Sequence, residues 1–264
     1  MSENAGTVAG GMPYLRLGAG PPLVLLPGIS AHHRVPVGMD RRFQLAQVRP
    51  LARHREVWWL NRRRGLRPVA TMADLARDYA DALRELFGRP VDVVGVSTGG
   101  SIGLQLAADT PDAVRRLVLV SAACTLGERC RGAQRSTASL LRAGEPRRAA
   151  AAMMGIIGSG RITRRAAAAM GWLLGRAVVG RGDPDLLATI EAEDPFTLCA
   201  RLPEIGTPTL IVGGERDACY GRALLEQTAA GLPRARLVLL PRRGHLGITP
   251  AVAGIVLGFL GEGT

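Results

Sequence analysis

The chain alternates short apolar runs with longer stretches whose apolar residues recur at helical spacing. Leu23-Val24-Leu25-Leu26 is one such run and ends at Pro27-Gly28; Val57-Trp58-Trp59-Leu60 is another and ends at Asn61. Short apolar runs closed by turn residues fit strands buried on both faces. Before Leu23 only residues 14–17 read as a strand. Over residues 71–87, Met72, Leu75, Tyr79, Leu83 and Leu86 share one helical face, with Thr71 and Asp74 as a start signal. Residues 91–96 predict a strand that runs at once into Ser97-Thr98-Gly99-Gly100. A helix through Ile102, Leu104, Leu106 and Ala107 follows and stops before Pro111. Further strands are predicted at residues 116–120, 209–212 and 237–240, with a helix around 223–230 and a closing helix over 252–260.

Strand–helix alternation of this kind predicts βαβ units and a parallel sheet covered on both faces, the α/β class. The alternation breaks between about residues 122 and 208. That stretch has no clear strand but has Ala/Leu/Met-rich helical segments at 148–157, 163–179 and 184–193. We therefore divide the chain into a core of residues 1–121 and 208–264 and a helical cap, or lid, of residues 122–207.

Composition narrows the function classes. Hydrophobic residues make up 47% of the 264, enough for a sizeable core, whereas aromatics at 4% are too few for a base-stacking platform. The net charge of +12 comes from 34 basic residues, all of them arginine. A balance this basic suits an anionic partner. The arginines are dispersed, however, with short clusters at Arg62, Arg63 and Arg64 and at Arg242 and Arg243, and no nucleic-acid-reading motif accompanies them; nucleic acid is not the expected partner. No apolar run reaches the ~20 residues of a membrane span, and the first residues lack the pattern of a secretory leader. Cys124, Cys130, Cys199 and Cys219 form no CxxC pair, so a reduced, cytoplasmic protein is the expectation.

The sharpest chemical signal is Gly95-Val96-Ser97-Thr98-Gly99, at the end of a strand and the start of a helix. In that context a strained turn lifts a serine Oγ above the sheet, and the small flanking residues let strand and helix pass closely. Serine needs a base, and of four histidines only His245 follows the last predicted strand. The chain order serine, acid, histidine then asks for an acid between them. Asp217 lies just beyond the strand at 209–212, with Glu215 as runner-up. Its task would be to fix the imidazole tautomer and stabilise the imidazolium. Oxyanion donors are expected from the backbone N–H of Thr98 and of Ile29, Gly28 allowing the loop to turn toward the serine. Gly28, Ser30, Met153, Met154 and Trp172 are the expected substrate contacts, the cap residues through an apolar stripe that also includes Ile156, Ile157, Leu173 and Leu174.

These pieces together resemble the α/β-hydrolase superfamily over nearly the whole chain. The resemblance is carried by residues 21–28 (PPLVLLPG), 95–100 (GVSTGG), 111–123 (PDAVRRLVLVSAA), 208–217 (PTLIVGGERD) and 242–245 (RRGH). It implies the α/β-hydrolase fold: a mostly parallel central sheet with helices on both faces and a helical cap inserted between two strands. It also implies a Ser97–Asp217–His245 triad, with neither cofactor nor metal. The chain departs from the family where Pro27-Gly28 replaces a His-Gly and where Asn61-Arg62-Arg63-Arg64-Gly65 replaces Asp-x-Arg-Gly. The stretch between them runs longer than usual, near residues 31–42, where it is placed to wall the site. Serine in the elbow argues against dehalogenase or epoxide-hydrolase chemistry, which relatives run with aspartate. The leading expectation is a serine hydrolase of an ester, lactone or thioester of a hydrophobic acyl or polyketide-like small molecule. The same residues would serve a C–C bond hydrolase, and a non-hydrolytic ligand-binding or cyclase-like member is the competing class. The Arg62, Arg63 and Arg64 cluster follows a strand at the catalytic edge. It could reach the pocket mouth and favour an acidic substrate or an acyl carrier protein; the alternatives are solvated loop arginines, or one arginine bracing the sheet edge through backbone carbonyls.

Overall fold

The computed structural model describes residues 3–8 and 10–262. Eight strands form one sheet: β1 (Glu3–Val8), β2 (Met12–Leu17), β3 (Pro22–Leu26), β4 (Glu56–Leu60), β5 (Val91–Val96), β6 (Val114–Val120), β7 (Thr209–Gly214) and β8 (Ala235–Leu240). Their order across the sheet is β1-β2-β4-β3-β5-β6-β7-β8. β1 and β2 pair antiparallel, as do β2 and β4, and every pairing from β4 across to β8 is parallel. The first strand escapes the hydrophobic pattern because it is an exposed edge of small and polar residues, held by its ladder to β2 and not by burial.

Alternate residues along the strands feed two cores. Val24, Leu26 and Val93 face a layer built from helices α2 (Met72–Phe87), α3 (Thr98–Asp109) and α9 (Arg222–Gly231). Leu23, Leu25, Val94 and Val96 face α1 (Gly38–Ala52) and α10 (Pro250–Gly261). This is the period-two division that a doubly covered sheet requires. The predicted start of α2 is a capping box: Thr71 and Asp74 exchange hydrogen bonds between side chain and backbone. The sequence pattern misses α1, whose few apolar residues are spread thinly and which carries Pro50 internally. Gln44 nevertheless anchors α1 by accepting a 2.9 Å hydrogen bond from the Trp59 indole.

Between β6 and β7 come α4 (Glu128–Arg142), α5 (Pro146–Met154), α6 (Arg161–Leu174), α7 (Arg176–Val179) and α8 (Pro184–Glu193). They bury a small core of their own, including Leu141, Ala149, Ala150, Leu186 and Ile190. The segments that lead into and out of these helices belong to the main core. Ala122, Ala123, Cys124 and Leu126 at one end, and Leu198, Leu202 and Ile205 at the other, pack into the main core. The two ends meet there. Thr125 bridges Thr197, Leu198 N–H donates to the Cys124 carbonyl at 2.7 Å, and Cys124 and Cys199 form a disulfide. This corrects the expectation of four reduced thiols; spacing along the chain could not reveal a pair 75 residues apart whose Cα atoms lie 5.0 Å from each other. Closing a loop of that length is worth about 4 kcal/mol on the chain-entropy account. No described helix is long and apolar enough to cross a membrane.

Candidate active site

Ser97 stands between β5 and α3 with φ 52° and ψ −122°, one of three non-glycine residues at positive φ among those described. A backbone region this costly for an L-residue persists only where the surroundings over-determine it. Here β5 feeds straight into α3, and a side chain at Gly99 would strike the Leu26 carbonyl, one at Gly95 the Gly99 carbonyl. Only glycine permits the strand, the turn and the β3 end to approach so closely.

The acid and the base come from two strands farther along the sheet. Asp217 follows β7 and His245 follows β8, and His245 Nδ1 lies 3.0 Å and 3.2 Å from the two Asp217 carboxylate oxygens. Asp217 Oδ1 also accepts from the backbone N–H of Cys219 at 2.8 Å and of Tyr220 at 3.2 Å. Burial pushes the Asp217 carboxyl up. Hydrogen bonding and charge from His245, with further hydrogen bonds from Cys219 N–H and Ser121, outweigh it and hold the group below the ordinary carboxylate value. The ionised acid therefore faces Nδ1–H and leaves Nε2 free to act as a base. Tyr220 stacks on the imidazole with ring centroids 6.0 Å apart. The runner-up Glu215 is exposed and is engaged by Arg222 and the Arg242 backbone instead. Ser97 and His245 line one cavity without a direct hydrogen bond between them, and contacts of this kind commonly tighten when substrate binds.

Of the two expected oxyanion donors, Ile29 belongs to the loop after β3 and Thr98 to the first turn of α3. A Cβ added to Gly28 would lie 3.5 Å from the Ser97 Cβ, so the loop after β3 rests against Ser97. Behind that loop is Arg62, fully buried at 1% exposure. Its guanidinium donates to the Pro27 carbonyl at 3.2 Å, to the Gly28 carbonyl at 2.8 Å and to His33 Nε2 at 3.2 Å. His33 completes the chain by donating Nδ1–H to the Arg63 carbonyl at 2.9 Å. The arginine cluster thus does not gather at the pocket mouth. Arg62 braces the loop from inside, Arg63 pairs with Asp78 at 2.8 Å, and Arg64 is solvated. The Thr98 side chain is buried and its hydroxyl donates to Glu193 of α8 at 2.8 Å. Sequence reading missed Glu193. The one available signal was an acidic residue on the apolar side of a cap helix.

Ser97 and His245 open on a cavity of ≈ 550 Å³ whose apolar walls include Ile29, Val96, Met153, Ile156, Ile157 and Leu246. Phe43 and Ala46 of α1 supply a further wall, just beyond the stretch expected to do so. Of the expected substrate contacts, Gly28 and Met153 line this cavity, and Ser30, Met154 and Trp172 do not. Ser30 turns its hydroxyl to the His32 carbonyl, Met154 packs where α5 crosses Gly171, and Trp172 is half exposed beneath the Arg147 guanidinium. A helical stripe has no fixed inward side until its neighbours are known.

Asp217, Cys219 and His245 present donor atoms within 4.8 Å of one another. As a metal set they fit poorly. The Asp217 carboxylate is engaged by His245 and two backbone N–H groups. A hydrogen bond with Cys130, together with burial, pushes the Cys219 thiol far above its ordinary value, away from the thiolate a metal needs.

A sequence profile described as the alpha/beta hydrolase family matches residues 23–252. A pimeloyl-[acyl-carrier protein] methyl ester esterase from Nitrosomonas europaea is 29% identical over 248 residues, covering 86% of this chain and 90% of its own length. Among solved structures, a hydrolase from Pseudomonas aeruginosa PA01 superposes with TM-score 0.78 at 28% identity, covering 99% of both chains. The alpha/beta hydrolase enzyme MGS-M2, from a Medee basin deep-sea metagenome library, gives TM-score 0.81 at 20% identity over 96% of both chains.

Proposed function

The chain belongs to the alpha/beta hydrolase family, and from that premise we propose a serine hydrolase that cleaves an ester, lactone or thioester of a small hydrophobic acyl group. The observation that carries this is the Asp217–His245 pair, 3.0 Å at its shorter contact, beside a serine on a strained strand–helix turn, all at one largely apolar cavity.

In this reading His245 Nε2 takes the Ser97 hydroxyl proton as Oγ attacks the acyl carbon. Asp217 holds the ring in the tautomer that leaves Nε2 unprotonated and then balances the imidazolium. The N–H groups of Ile29 and Thr98 receive the oxyanion of the tetrahedral intermediate. His245 returns the proton to the departing alcohol or thiol, and water releases the acyl group by the same steps in reverse order. The cavity walls favour an aliphatic or aromatic acyl chain over a charged one. The Nitrosomonas relative, named for a carrier-bound methyl ester, makes acyl esters presented on an acyl carrier protein the first natural substrates to try.

A fluorophosphonate probe should label the wild type at Ser97. Ser97→Ala should abolish labelling and lower kcat on p-nitrophenyl esters by several orders of magnitude, because such residues act as a unit. A Ser97→Ala enzyme hydrolysing its best ester at the wild-type rate would overturn the assignment. Wild-type protein that neither labels nor turns over any ester, thioester or lactone would favour a ligand-binding role.

A further inference from the structure

Glu193 ends the last cap helix, yet its carboxylate lies at the base of the nucleophile turn and is 0% exposed. Oε2 accepts from Thr98 Oγ1 at 2.8 Å and from Gln134 Nε2 of α4 at 2.9 Å, and Oε1 accepts from Ser101 Oγ at 2.8 Å. Thr98 and Ser101 are three residues apart in the first turn of α3, so their side chains share a face. One carboxylate therefore clamps that turn at two points and ties it to two cap helices.

We infer that Glu193 is a positioning residue for the oxyanion hole, through which the cap sets where the Thr98 N–H points. The inference rests on Ser97 being the nucleophile. Thr98 follows Ser97 directly, and a peptide N–H at that position must be aimed to within about half an ångström of the developing oxyanion. Holding the Thr98 side chain limits the rotation of that peptide. The other expected donor is held by a different group, since Arg62 donates to the Pro27 and Gly28 carbonyls.

Stability alone gives little reason for a carboxylate here. Burying it carries a desolvation cost that its hydrogen bonds must offset, and an apolar side chain of similar volume often serves a fold as well or better. A full negative charge behind the hole would also oppose the oxyanion. What Glu193 contributes is therefore hydrogen-bond geometry, and a neutral acceptor of the same shape should largely replace it.

The test compares Glu193→Leu, Glu193→Gln and Thr98→Val, using p-nitrophenyl butyrate turnover, fluorophosphonate labelling and thermal unfolding. Glu193→Leu should lower kcat about 10- to 100-fold with little change in KM, a smaller loss than deletion of an oxyanion donor. Glu193→Gln should recover most of that loss. Thr98→Val keeps the backbone N–H and the Ser101 contact but removes the hydrogen bond that holds Thr98 itself, so it should lower kcat similarly. Adding Glu193→Leu to Thr98→Val should cost little more, because both break one linkage. Should Glu193→Leu fail to fold, Thr98→Val still decides: wild-type kcat in it overturns the inference. So does a kcat loss in Glu193→Leu that Gln does not rescue, or one that adds fully to that of Thr98→Val. Wild-type protein that labels at Ser97 while Glu193→Leu turns over normally overturns this inference alone. Wild-type protein that does not label removes the nucleophile assignment and this inference with it.

Discussion

The Arg62 guanidinium and the Gly28 carbonyl meet at 2.8 Å inside the protein, and through that contact a buried cation holds the loop that faces Ser97. Burial works against the charge, and Tyr79 and the Glu193 carboxylate offset part of that cost. Removing the cation would leave the Pro27 and Gly28 carbonyls and His33 Nε2 without their donor. Arg62→Met should therefore destabilise the fold by about 3 kcal/mol, the range for a broken buried charge network. Arg62→Lys keeps a charge but cannot span two carbonyls with a planar fork. It should stay folded and lose kcat more than it raises KM, measured on a neutral ester. Wild-type kcat in Arg62→Lys would return Arg62 to a purely structural role.

His33 gives a pH-dependent stability of defined sign. Its burial, then the adjacent Arg62 charge, lower its pKa from 6.5 to about 3. The neutral ring is also what the hydrogen bonds require, since Nε2 accepts from Arg62 while Nδ1–H donates to Arg63. The unfolded chain takes up a proton near 6.5, whereas the folded chain resists until about 3. Between those values protons favour unfolding, so this contribution is intact above pH 6.5 and is lost as pH falls toward 3. From pH 7.5 to pH 5 the loss should be about 2 kcal/mol by urea unfolding. His33→Asn should be less stable at pH 7.5 and show a flatter profile. A parallel slope in the variant would remove His33 as the cause.

Two glycines near Ser97 should answer alanine differently. A methyl at Gly99 would meet the Leu26 and Pro27 carbonyls at distances no side chain tolerates, so Gly99→Ala should unfold or lose several kcal/mol. A methyl at Gly28 would lie 3.4 Å from the Val96 carbonyl and 3.5 Å from the Ser97 Cβ, which the fold can accept. It would also enter the space beside the nucleophile. Gly28→Ala should keep its Tm within about 3 °C while kcat falls about 10-fold or more. Paired melting curves and turnover numbers check both.

The amino-acid sequence by itself determined the strands from β3 to β8, the covering helices α2, α3, α9 and α10, the break that inserts the cap, and the placing of Ser97, Asp217 and His245 just beyond strand ends. Each is local. Apolar runs and turn residues mark the strands, and all three side chains follow strand ends on one edge of a parallel sheet. Only the tertiary structure decided which face of each cap helix turns inward, bringing Met153 to the cavity and leaving Trp172 half exposed. It alone joined Cys124 to Cys199, buried Arg62 where solvated arginine was the alternative, and carried Glu193 beneath Thr98. Those outcomes depend on contacts between residues tens of positions apart. Burial and hydrogen-bond satisfaction arise from packing, and a charged residue carries no local mark of whether its partner is water or a buried carbonyl.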